Sequence, residues 1–290
     1  MTQRPSAIFY AVLAAALYAI SSPVSKLLLV EVPPTMMAAL LYLGAGIGMS
    51  LIAFYRYRRG KLKEEMRLTK KELPYTVGMI VLDILAPIFL MVGLTMTTPA
   101  TVSLLNNFEI VATSLIALFI FKEFISRRLW IAIGLITVSS ILLSVEDFSN
   151  LSFSFGSLLV LLASISWGFE NNITRKLSVK DPLQVVILKG FGSGLGSLLI
   201  SLALKETTTN ILYIALTLLL GFVAYGMSIY LYVYAQRYLG AAKTSAYYAV
   251  APFIGAGLSL LIFLEIPSLT FLIALLIMVI GTYFASTDAK

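Results

Sequence analysis

The 290-residue chain has no cysteine and no histidine. Their absence excludes disulfide frameworks, thiol nucleophiles, zinc or haem sites built on Cys or His, imidazole general bases and histidine proton relays. Charge is scarce too: 12% of residues are Asp, Glu, Lys or Arg, about half the share usual in a soluble domain. Against this, 59% of residues are hydrophobic and the mean hydropathy is +0.95. A water-soluble globular domain is excluded. No ATP-binding signature is present, and no Asp pair or Ser–Lys motif stands at the spacing an intramembrane enzyme needs. No cofactor is expected.

What the chain has is long apolar runs. They recur from Ala7 to Ser286, each about long enough to cross a hydrocarbon core of ~30 Å. Ten helices are predicted, over 7–28, 34–55, 75–96, 99–121, 127–145, 155–175, 182–204, 210–235, 242–264 and 268–286. A transmembrane barrel would alternate polar with apolar positions, whereas Leu212–Val223 is apolar almost throughout. The fold class expected is therefore an all-α membrane protein of ten transmembrane helices. Pro34, Pro99, Pro182 and Pro267 fall at span starts, while Pro23, Pro87 and Pro252 fall inside spans and are expected to kink them. The first run is too long for a cleaved signal peptide.

Orientation follows from Lys and Arg. With a cytoplasmic N-terminus, the inner side collects 18 of the 21 basic residues, including Arg4, the dense 56–71 loop, Lys122, Arg127, Arg128, Arg175, Lys176, Lys180, Arg237, Lys243 and Lys290. Lys26 and Lys205 lie near the outer side and Lys189 inside a span. Both termini are thus expected in the cytoplasm. The basic loop could bind nucleic acid or lipid, but a topology determinant explains it more simply, so no nucleic-acid partner is expected despite the net charge of +7.

The chain repeats itself. At an offset of 148, Pro34 matches Pro182 and Gly44-x-Gly46-x-Gly48 matches Gly192-x-Gly194-x-Gly196. At 149, the segment Tyr18 to Lys26 resembles Trp167 to Arg175, and at 142, Phe121-Lys122-Glu123 falls on Phe263-Leu264-Glu265 and Ala100 on Ala242. Residues 1–147 and 151–290 read as two five-helix units. An odd span number per unit forces opposite orientations, hence an inverted repeat, the architecture of alternating-access carriers. The glycine runs lie inside apolar spans with no preceding strand, so close helix packing is expected of them rather than phosphate binding.

The ten spans in two fives, Trp167-Gly168-x-Glu170-Asn171-Asn172 in span six, and the Phe-x-Glu ends of spans four and nine resemble the EamA branch of the drug/metabolite transporter superfamily. The stretch from Trp167 to Gly190 resembles one uncharacterised subgroup of that branch. The resemblance implies a plasma-membrane carrier with a central cavity, whose relatives mostly export amino acids, other metabolites or drugs, while some take up small cations. Span one departs from the pattern, with Tyr18-Ala19 where the second copy has Trp167-Gly168.

Four ionisable residues stand well inside spans: Asp83, Glu109, Glu170 and Lys189. Such groups are expensive in a bilayer and should face a cavity or a partner. Trp167, Glu170, Asn171 and Thr174 share a helical face that combines an aromatic, a carboxylate and an amide, a cation-binding combination. Lys189 lies at the depth of Glu170, so a structural ion pair and a site for the two ends of an amino acid are both open. Asn106, Glu109 and Thr113 form a second stripe, with Asn107 beside it. The repeat counterparts of Glu109 and Asp83 are Ala251 and Tyr225. This asymmetry marks the two acids as candidate proton-coupling groups. Tyr225 and Tyr248 are deep enough to need a hydrogen-bond partner, whereas Tyr232, Tyr234 and Tyr238 also fit as interfacial anchors. The candidate solute-binding set is Trp167, Glu170, Asn171, Lys189, Tyr225, Tyr248 and Asn106. The function expected is a secondary carrier of small metabolites, an exporter of amino-acid-like solutes coupled to protons, with organic cations as the alternative substrate class. A single chain in the lipid bilayer suffices for this, and the oligomeric state is left open.

Overall fold

A computed structural model of the chain describes residues 3–58, 68–122, 124–147, 152–177, 179–239, 244 and 247–288. Arg59, Lys61, Lys63, Arg67, Glu123, Ala242, Lys243 and Lys290 lie outside the described residues. The protein is helical almost throughout, and the helices follow the apolar runs. Span one is α1 (Gln3–Ala19) and α2 (Ser21–Leu28), span two α3 (Pro34–Arg58) and span three α4 (Leu73–Met96). Span four is α5 (Pro99–Leu105) with α6 (Phe108–Phe121), and span five is α7 (Arg127–Ser144). The second half runs through α8 (Phe155–Leu177), α9 (Pro182–Ala203), α10 (Ile211–Leu220), α11 (Ser228–Leu239), α12 (Ala251–Phe263) and α13 (Leu269–Asp288). The α10 and α11 pieces form span eight, joined by a π-helical stretch over Gly221–Met227.

Helix starts obey local chemistry. The Thr98 hydroxyl accepts the Thr101 N–H (3.2 Å) and Pro99 follows at the first turn. Asp181 accepts the Leu183 N–H (3.2 Å) ahead of Pro182, and Ser126 accepts that of Leu129 (3.1 Å). Each cap satisfies an orphan amide at a helix N-terminus. Pro252 is not interior: it stands in the first turn of α12, after a turn at Ala249–Val250, where its missing N–H leaves no bond unmade. Lys122 ends α6 and Leu264 ends α12 in the left-handed conformation (φ 57° and 52°). The middle position of each Phe-x-Glu motif is thus a helix stop.

Eight helical stretches are long and apolar enough to cross a membrane. Two spans fall short of that measure for visible reasons: α8 ends in Glu170, Asn171, Asn172, Thr174, Arg175 and Lys176, and α12 is short. One feature corrects a purely helical expectation. Val145–Asp147 (β1) pairs antiparallel with Ser152–Phe153 (β2) in the connection between spans five and six.

The principal packing pairs are spans two with seven, three with six, one with eight, two with eight, five with ten, four with six, four with nine, three with seven and one with nine. Glycines set the closest approach. A Cβ on Gly190 would stand 2.4 Å from the Gly46 nitrogen, and one on Gly44 2.0 Å from the Leu218 carbonyl oxygen. Such contacts allow no side chain, so the glycine runs are seams between helices, in line with the sequence reading. Around them Met37, Leu41, Tyr42, Leu90, Leu94, Trp167 and Tyr225 form the largest buried cluster.

Candidate functional site

Continuous α-helix consumes its own backbone polar groups, so a site at membrane depth is most readily built where helices break. Breaks meet at the centre of this bundle: at Ile20 between α1 and α2, at Asn106–Asn107 between α5 and α6, over Gly221–Met227, and at Ala249–Val250. The Asn106–Asn107 break is held by tight backbone bonds, Glu109 N–H to Asn106 C=O (3.1 Å) and Ile110 N–H to Asn107 C=O (3.0 Å).

A cavity of about 300 Å³ lies among these breaks. Tyr18, Asn106, Asn107, Glu109 and Tyr248 line its deep end, while Phe124, Arg175, Gln236 and Ser286 line its mouth. The mouth residues all sit toward the face that carries both ends of the described chain. The half-buried Glu109 carboxylate accepts a hydrogen bond from Asn171 Nδ2 (2.5 Å), which also reaches the Thr113 hydroxyl (3.3 Å). Asn172 is tied to the Thr113 and Gly168 carbonyls (3.1 and 2.9 Å), which fixes α8 against α6. The Tyr18 and Tyr248 rings lie 5.9 Å apart, and the Tyr248 and Ser228 hydroxyls 3.4 Å apart. Asn106 Oδ1 and Asn107 Nδ2 are buried and find no partner among the described residues. A cavity with one carboxylate, three tyrosine rings and two unengaged amide atoms is equipped to hold a small polar solute with a cationic group.

Behind the α8 wall lies a second polar feature that the cavity does not reach. Lys189 Nζ stands 3.0 Å from Glu170 Oε1 and 3.1 Å from Asp83 Oδ2. The Tyr42 hydroxyl donates to Asp83 Oδ1 (2.9 Å), and the Thr174 hydroxyl donates to Glu170. Asp83, Glu170 and Lys189 are 0%, 2% and 5% exposed. The expected contact between Glu170 and Lys189 is present, with Asp83 as a third member that sequence spacing alone did not bring in. None of the three lines the cavity, and neither do Trp167 and Tyr225. Trp167 packs in the core, and Tyr225 accepts a hydrogen bond from Ser21 (3.3 Å) between the rings of Tyr18 and Tyr42. Of the sequence candidates, Asn106, Glu109, Asn171 and Tyr248 share the cavity wall. Arg175, first read as an orientation signal, also stands at the mouth, and Tyr232 faces the cavity rather than serving as an anchor alone.

Residues 5–145 match the EamA-like transporter family, and residues 154–287 match it again. The chain belongs to the EamA-like transporter family. This transporter is 26% identical over 289 residues to an uncharacterized transporter of Methanothermobacter thermautotrophicus strain Delta H, covering 94% of this chain and 84% of that one. A crystal structure of a protein 18% identical in sequence superposes with a TM-score of 0.72 over 99% of this chain and 98% of its own, which establishes the shared fold. An EamA-like transporter is a multi-pass membrane protein that carries small solutes.

Proposed function

We propose that this EamA-like transporter is a secondary carrier that exports small solutes bearing an ammonium group, by alternating access, and that its cavity here is open to the cytoplasm. The observation that carries the reading is Glu109: a carboxylate in the cavity wall, near two tyrosine rings and bonded to Asn171. Lys189, the one basic residue well inside a span, is turned away from the cavity and engaged by two acids. The solute's positive end therefore meets Glu109 without competition from Lys189. Asn107 Nδ2 supplies an unengaged donor at the same depth, which favours an amino-acid-like solute whose carboxylate it would bind. Organic cations lacking a carboxylate are the second reading, resting on Glu109 and the tyrosines alone.

Alternating access is supported by the repeat. The two family matches hold five spans each, and the packing pairs map onto themselves when span one exchanges with six, two with seven, three with eight, four with nine and five with ten. The cytoplasmic assignment of the mouth rests on the 18 of 21 basic residues collected on that side. The test is flux in proteoliposomes, with solutes first screened by thermal shift against amino acids and matched amines. A carrier gives saturable, trans-stimulated flux that Glu109→Gln abolishes; unsaturable flux without trans-stimulation would overturn the reading.

A further inference from the structure

The charge count inside the bundle is unequal. Well inside the described spans stand three acids, Asp83, Glu109 and Glu170, and one base, Lys189. If all were ionised, two negative charges would be uncompensated in a medium where an unbalanced charge costs several kcal/mol. The two surplus charges differ in surroundings. Glu109 stands on a cavity wall, where a cation as large as a solute ammonium can reach it. The other surplus belongs to Asp83 and Glu170, which share one ammonium, are almost wholly buried and lie off the cavity wall. The groups around them are the Tyr42 hydroxyl from span two, Thr174 from span six and Tyr225 from span eight. Glu109 lies on span four beyond Asn171, and Lys26 meets span three only at its far end. None of these brings a second cation to the two acids.

We infer that the Asp83–Lys189–Glu170 cluster is a proton-binding site, separate from the solute cavity. It is built to hold one proton on its two carboxylates and nothing larger. The step is simple: one carboxylate takes a proton from a hydronium ion, leaving a water molecule behind, and becomes a carboxylic acid, with Lys189 staying ammonium throughout. Its consequence follows from which half supplies each group. Asp83 comes from the first half, Glu170 and Lys189 from the second. A proton on Asp83 removes the charge attraction that ties span three to span seven while leaving the Glu170–Lys189 pair inside the second half. The site is thus placed to gate the movement of one half against the other, and in this it deepens the carrier reading and rests on it.

Infrared difference spectroscopy of the purified full-length protein in lipid, without solute, tests the proton directly. At neutral pH the wild type should show a protonated-carboxyl stretching band that shifts slowly in D2O, because the cluster is dry. Glu109→Gln should keep that band, and Asp83→Asn and Glu170→Gln should each lose it. No such band in the wild type, a band that shifts at once in D2O, or one lost only in Glu109→Gln would overturn the proposal. The D2O measurement needs no variant and stands if the substitutions fail to fold. In transport, Asp83→Asn should keep the solute-induced thermal shift while losing proton-driven accumulation. A protein with the slow band but no solute-induced shift would sink the carrier reading and leave the proton site standing.

Discussion

Glu170 and Asn171 are neighbours in the chain, yet their side chains serve different compartments. Glu170 is buried against Lys189, while Asn171 reaches through to Glu109 on the cavity wall. Successive residues on an α-helix are about 100° apart, enough to put one on each side of a helix that forms a partition. Span six therefore separates a buried ion cluster from an open cavity, and a rotation of this helix would disturb both together.

Removing the ammonium should hurt the fold more than the function-specific changes do. Lys189→Met leaves two buried acids facing each other, and breaking a buried ion pair from one side costs about 3–5 kcal/mol. The melting temperature in detergent should drop sharply. The combined change Lys189→Leu with Glu170→Leu leaves Asp83 as the one buried acid, which can stay neutral by holding a proton, so it should recover part of the loss, yet transport should stay absent. Normal transport by the double variant would refute the part given to the cluster.

The tyrosines at the deep end should act on affinity. Tyr248→Ala removes a ring near Tyr18, and losing one cation–ring contact is worth about 0.5–2 kcal/mol, roughly a 2- to 30-fold loss in affinity. Tyr248→Phe keeps the ring and should cost less. Titration of ligand binding by intrinsic fluorescence distinguishes the two; equal losses would mean that the hydroxyl, not the ring, matters.

The glycine seams make a contrast. At Gly190 an added methyl meets Gly46 backbone at 2.4 Å, whereas at Gly192 it meets the flexible end of Ile80 at 2.4 Å. Backbone cannot step aside without parting spans two and seven, but a side-chain tip can rotate. Gly190→Ala should lower the melting temperature clearly and Gly192→Ala little. At Gly134 nothing lies within 4 Å, so Gly134→Ala should be neutral or stabilising by up to about 1 kcal/mol.

The absence of cysteine lets topology be read by labelling single introduced thiols. Lys63→Cys should react only with reagent admitted to the cytoplasmic side, and Ser286→Cys, at the cavity mouth, should behave the same way. Outward labelling of position 63 would reverse the orientation of the whole carrier.

The spans were legible because bilayer crossing demands length and apolarity together, and Pro34, Pro99 and Pro182 marked starts that the helices keep. The Glu170–Lys189 contact was legible because neither charge is tolerable alone and the spans are consecutive. What sequence spacing could not resolve was the partition. Trp167, Glu170, Asn171 and Thr174 lie on one broad stripe, and only packing decides that the stripe straddles two environments, Asn171 on the cavity side and the rest in protein. Asp83 escaped pairing for a related reason: its partner lies about a hundred residues away on a helix of the other half. A match of depth between two lone charges was the available signal.

Lys26 ties the end of span one to the end of span three. At the face opposite the mouth its ammonium grips the carbonyls of Leu94 (2.5 Å) and Thr97 (3.1 Å), where span three ends. Hydrogen bonds to a charged group are worth about 1.5–3 kcal/mol each, and any opening on this face has to release them before new partners form. The latch stabilises the conformation described here, and its release adds to the barrier for leaving it, so under the proposed alternating access its loss should change how often the carrier turns over and how steeply that frequency climbs with temperature. Lys26→Met should quicken exchange in the cold and flatten its temperature dependence; an unchanged slope in temperature-series exchange measurements would place the slow step elsewhere.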